Sequence, residues 1–176
     1  SGQVHIRGQE FPDVADAAAD GLGRLGLELG GIYIQRPRHR AGVGVEQQRA
    51  VVQNAAMAHP LGGRLGVAHG VANGILLAPV MEYNKDFTGE KYRDIADAFG
   101  VEDAYTGDLE KVREEAVQAV HKLTVDLKNP TTISEVGATE ADLEPLAHDA
   151  FNDVCTPGNP RQATEEDILA IYKSLM

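Results

Sequence analysis

The segment Val71 to Met81 reads VANGILLAPVM and is apolar around almost the whole circumference that a helix would present. A surface helix keeps a polar face, so a helix like this one has to be enclosed by its own protein. The segment therefore predicts a central buried helix, and the rest of the chain must supply neighbours on every side of it.

Those neighbours can be read from the periodicity. Val45, Val51, Val52, Ala55, Ala58 and Leu61 fit a 3.6-residue period, with a break expected where Pro60 follows His59. A glycine-rich turn from Gly62 to Gly66 then leads to His69-Gly70. Lys91 to Phe99 reads as a short amphipathic helix stopped by Gly100. Asp108 is placed to cap a helix with the stripe Leu109, Val112, Ala116, Val120, Leu123 and Leu127, ended by Asn129-Pro130. Thr139 opens a helix carrying Leu143, Leu146, Ala150 and Val154 on one face. Cys155 to Pro160 is a loop, and Thr164-Glu165-Glu166-Asp167 approximates a capping box for a last helix with Ile168, Ile171, Tyr172 and Leu175 inward. Tyr83, Phe87, Tyr92 and Phe99 have the spacing of core residues. No strand–helix alternation occurs, so the fold class is all-α over residues 46–176.

Residues 1–45 form an irregular extension, with a candidate helix from Asp13 to Leu22, a candidate short strand from Gly31 to Gln35 and a basic loop from Arg36 to Arg40. No glycine-rich dinucleotide or phosphate loop stands between a strand and a helix. Residues 1–50 hold six arginines and six acids, so the chain's net charge of −11 comes entirely from residues 51–176. That balance argues against a nucleic-acid partner, which calls for a basic face. A single cysteine excludes an intramolecular disulfide. No apolar run approaches the roughly 20 residues of a membrane-spanning helix, and no secretory signal pattern opens the chain, so a cytoplasmic location is expected.

Residues 57–176 closely resemble the C-terminal helical domain of the iron-dependent (group III) alcohol dehydrogenases. The nearest branch is that of the lactaldehyde reductases and 1,2-propanediol oxidoreductases. The carrying stretches are MAHPLGG (57–63), AHGVANGILLAPVMEYN (68–84), FTGEKYRDIA (87–96) and DAFNDVCTPGNPRQATEEDILAIYKSLM (149–176). The resemblance implies an all-helical domain that holds a divalent metal beside a separate dinucleotide-binding domain. It implies metal ligands from an Asp-x-x-x-His pair, from a histidine four positions before that of HPLG, and from the histidine before GVAN. His69 matches the last of these, and His59 matches the active-site histidine of HPLG. Ala55 occupies the position four before His59, and no Asp-x-x-x-His occurs upstream. Glu46 to Val51 stand where the family carries a Ser-Asn-x-Gly-Leu-Gly-like run. Codons for these residues, read one base later, can encode Ser-Asn-Ser-Gly-Leu, so the preceding segment is expected to derive partly from family DNA in another frame.

With the dinucleotide domain missing, this inventory predicts a truncated derivative with a small metal-dependent hydrolase activity on peptide, amide or ester bonds. His69, His59 and, as third ligand, His39 would bind the metal, with zinc preferred over iron and no NAD expected. His5, Asp13, Asp16 or a second chain could replace His39. An uncoordinated His59 or a nearby carboxylate would serve as general base. Two other outcomes stay open: a non-catalytic metal-binding fragment, or a subunit of an NAD(P)-dependent alcohol dehydrogenase that needs a separate cofactor-binding chain. His121 and His148 read as structural or surface residues. A Cys155–His148 dyad is conceivable, but the family carries cysteine at this place without using it as a nucleophile. The exposed former interdomain face predicts a homodimer.

Overall fold

The structure, a computed structural model, describes residues 52–176 and the backbone of four two-residue strands in the preceding segment. Strand β1 (His5–Ile6) pairs antiparallel with β2 (Gln9–Glu10), and β3 (Glu28–Leu29) with β4 (Ile32–Tyr33). The expectations placed on residues 11–27 and 34–51, His39 among them, lie outside the described residues.

From residue 52 onward the described fold is all-α. Six α-helices are present: α1 (Val52–Leu65), α2 (His69–Asn84), α3 (Lys91–Ala98), α4 (Leu109–Asp126), α5 (Leu143–Phe151) and α6 (Glu165–Lys173). Short 3-10 turns occur at Lys85–Phe87, Ser134–Val136, Glu140–Asp142 and Thr156–Gly158.

The all-round apolar segment becomes α2, and two hydrophobic clusters explain its composition. Ala72, Ile75, Leu76 and Val80 pack with Met57, Leu61, Leu146, Ile168 and Tyr172 of α1, α5 and α6. Leu77, Ala78 and Met81, on another side of the same helix, pack with Tyr92, Val112, Ala116 and Val120 of α3 and α4. Helix α2 is thus the wall common to both cores.

The expected break at Pro60 does not occur, because α1 runs through it to Leu65. Proline removes one helical hydrogen bond and costs about 3 kcal/mol in a helix interior. Met57, Ala58 and Leu61, all fully buried around it, offset that cost by packing. The buried Tyr172 hydroxyl also donates to the Met57 carbonyl at 2.6 Å, adding a bond beside the proline. The helix stops later, at Gly66, whose φ of +67° is one that L side chains rarely adopt. There the Gly66 N–H donates to the Gly62 carbonyl, the 5→1 bond of a left-handed cap, and the Val67 N–H reaches back to the Leu61 carbonyl.

The predicted caps are present. The Lys111 N–H donates to Asp108 at 3.1 Å, and Thr139–Asp142 and Thr164–Asp167 both close capping boxes. Val154 departs from expectation. Helix α5 ends at Phe151, so Val154 falls beyond its inward stripe and is 91% exposed. Leu127, beyond the end of α4, is also exposed. Of the four spaced aromatics, Tyr92 is fully buried, but Phe87 is 57% exposed and lies with Tyr83 beside the Arg161 guanidinium.

Candidate metal centre

Helix α1 carries His59 to the surface one residue before Pro60, and α2 begins at His69 after the turn that Gly66 permits. The two imidazoles stack, with centroids 5.5 Å apart and 17° between their planes. The fold therefore brings the two sequence-singled histidines together. Imidazole lone pairs lie in the ring plane, so those of this pair run in nearly parallel planes. Both can reach one ion only after a ring rotates.

His59 has a closer polar partner. Its Nδ1 lies 2.7 Å from Asp153 Oδ2, with the histidine side chain 46% exposed and the aspartate 16%. Asp153 follows the end of α5, where the chain turns back toward α1. The Asp153 N–H donates to the Ala150 carbonyl, the Thr156 hydroxyl to the same carbonyl at 2.6 Å, and the Cys155 N–H to Asp153 Oδ1 at 2.8 Å. Further along, Asn159 and Asn84 exchange side-chain amide bonds of 2.8 Å in the interior and tie this loop to α2. Arg64 Nε donates to Asp149 at 2.6 Å and joins α1 to α5 on the same side.

The result is a group the sequence did not reveal. One donor atom each from His59, Asp153 and Cys155 lie within 4.8 Å of one another. Burial opposes ionisation of Asp153, but the Cys155 N–H and the His59 ring outweigh it and hold its carboxyl below the usual range. Burial, reinforced by the Asp153 carboxylate, pushes the Cys155 thiol up. The conceivable Cys155–His148 dyad is not formed; His148 Nδ1 instead faces Glu165 at 3.3 Å, and His148 and His121 are exposed as expected. The spacing Asp153-Val154-Cys155 was visible in the sequence. That it would meet a histidine 94 positions earlier was not.

A family model for the C-terminal part of the Fe-containing alcohol dehydrogenases matches residues 39–176. The chain belongs to that family. It is 53% identical over 116 residues to lactaldehyde reductase of Escherichia coli strain K12, a match covering 66% of this chain and 30% of that protein. It is 37% identical over 118 residues to 1,3-propanediol dehydrogenase of Klebsiella pneumoniae, covering 67% of this chain and 30% of the relative. Among solved structures, 1,3-propanediol oxidoreductase aligns with a TM-score of 0.67 at 35% identity, covering 70% of this chain and 32% of that one. Alcohol dehydrogenase from Oenococcus oeni aligns with a TM-score of 0.66 at 31% identity, covering 72% and 32%. The chain spans about a third of the length of these relatives.

These relatives overturn the hydrolase expectation, since they are reductases and dehydrogenases. The zinc preference falls too: the family is defined by iron, and a divalent metal is what it implies. The described residues do not fit the iron site that the resemblance lays out. Ala55, one helical turn before His59, offers only a methyl group where that site takes an imidazole. His69, the remaining match, is not a member of the donor cluster that His59 forms.

No helix among the described residues is long and apolar enough to cross a membrane.

Proposed function

We propose that this chain is the helical, substrate-side part of a nicotinamide-dependent oxidoreductase that interconverts small alcohols and aldehydes. The dinucleotide-binding part and the missing metal ligands would be carried elsewhere. The observation that carries this is His59, which lies in the HPLG stretch and is oriented by Asp153. With Nδ1 engaged by the carboxylate, Nε2 is the ring nitrogen left to take or give the substrate hydroxyl proton. Hydride transfer itself is the chemistry of the nicotinamide. The 53% identity to a lactaldehyde reductase supports short hydroxyaldehydes as the substrate class.

The test mixes this chain with a separately purified dinucleotide-binding part of the Escherichia coli relative, adds iron and lactaldehyde, and follows oxidation of the reduced nicotinamide. Turnover is expected only in the mixture and is expected to be lost in His59→Ala. A mixture that associates, binds dinucleotide and still shows no turnover would overturn the proposal. It would leave the second reading, a folded non-catalytic unit, which Ala55 favours.

We propose, too, that a second copy of the chain covers the exposed apolar residues Phe151 and Val154 when no dinucleotide-binding part is present. The exposure of Val154, at 91%, and Phe151, at 41%, supports it. Val154→Glu should then shift the chain to monomer in sedimentation.

A further inference from the structure

We propose that His59, Asp153 and Cys155 form a binding site for a divalent transition-metal cation that is distinct in its ligands from the family's iron site. Three residues each present a different kind of donor: an imidazole nitrogen, a carboxylate oxygen and a thiol sulfur. All three atoms lie within 4.8 Å of one another. First-row cations bind such donors at about 2.0 to 2.3 Å, so donors sharing one ion stand roughly 3 to 4 Å apart. To share an ion, the 2.7 Å His59–Asp153 pair opens slightly and the donors converge within the 4.8 Å that now bounds them.

The surroundings favour such a site. Asp153 is held on two sides, by the Cys155 N–H at Oδ1 and by His59 at Oδ2, so the carboxylate is already aimed at the imidazole. His59 is half-exposed, which gives an ion a way in from solvent. The His69 ring stacks on His59 and is not one of the three donors. A mixed imidazole, carboxylate and thiolate set suits the later first-row divalent ions better than magnesium or calcium. Binding at Nδ1 moves the single His59 ring proton to Nε2 through solvent, and the Cys155 thiol proton leaves to solvent as the three metal bonds form. Three protein donors leave one position open to water.

The site does not rest on the dehydrogenase proposal. It uses neither His69 nor any dinucleotide, and its test reads a metal–sulfur bond rather than turnover. The experiment is an anaerobic titration of the full chain with cobalt(II), without partner or nicotinamide. The expected result is one cobalt per chain, with a near-ultraviolet thiolate-to-cobalt charge-transfer band that saturates with it. Cys155→Ser should abolish the band, and Asp153→Asn and His59→Ala should each weaken binding by a large factor. His69→Ala should keep the band. Far-ultraviolet circular dichroism of each variant separates a lost ligand from a lost fold, and Cys155→Ala serves as the second thiol-free variant if the serine form is unstable. Absence of binding, binding without the band, or a band that survives in folded Cys155→Ser or Cys155→Ala would each overturn the proposal.

Discussion

His59 and Asp153 stand 94 positions apart in the chain and meet at 2.7 Å between Nδ1 and Oδ2. An ionised carboxylate can only accept, so the proton between them belongs to Nδ1. In metal-free protein near neutral pH, long-range proton–nitrogen correlation spectra should show His59 as the Nδ1–H tautomer. Asp153→Asn should shift the tautomer balance measurably. A predominantly Nε2–H ring in the unaltered chain would mean that the pair does not form in solution.

The bond from Tyr172 to the Met57 carbonyl gives a stability prediction. Both groups are buried, and removing the hydroxyl leaves a carbonyl beside Pro60 without its extra partner. Tyr172→Phe should cost about 0.5 to 1.5 kcal/mol, the range for the loss of one intramolecular hydrogen bond. In urea unfolding this appears as a lowered midpoint with an unchanged slope.

Asn84 and Asn159 offer a double-mutant cycle. Their amides exchange two bonds of 2.8 Å in the interior. Asn159→Ala strands the Asn84 amide, whereas Asn84→Ala leaves Asn159 its bond to the Arg161 carbonyl but an unpaired Oδ1, and each should cost about 1 to 3 kcal/mol. The double change should cost clearly less than the sum, because the second substitution removes the stranded group. Additive losses would show that the two do not act as a unit.

Acid should unfold the chain through a defined set of carboxyls. The Thr139 and Thr164 capping boxes hold Asp142 and Asp167 below their usual range, as Arg64 holds Asp149. For each, hydrogen bonds to the charged form outweigh burial. A folded value below the unfolded one gives stability that is fully present above the unfolded value, about 4 for aspartate. That stability is lost as pH falls through the folded value. The midpoint of thermal unfolding should therefore hold from neutral pH to about 5 and fall steadily below it. Asp167→Asn should flatten part of the decline.

The helical plan was legible because its signals are local. Asp108, Thr139 and Thr164 each announce a helix start within four residues, and the composition of α2 announces its burial. Pro60 misled for the same reason: local preference argues for a break, and only the distant α5 and α6 residues packed on Met57 and Leu61 outweigh it. Val154 continued a helical stripe on paper, but α5 had already ended. His59 and His69 were legible as candidates from their stretches. Asp153 was not, and Cys155 was weighed only with His148 and not with His59, because no local pattern tells which surface a loop after α5 will face.

Helix α2 contributes side chains to both hydrophobic clusters, and this bears on how the molecule comes apart. Neither half can melt while the other stays intact without stripping one flank of α2 bare. The described helices should therefore unfold as a single cooperative unit. The amide protons of Ile75 to Ala78, Val80 and Met81 should exchange with solvent only when the whole described fold opens, and so should be the slowest among the described residues.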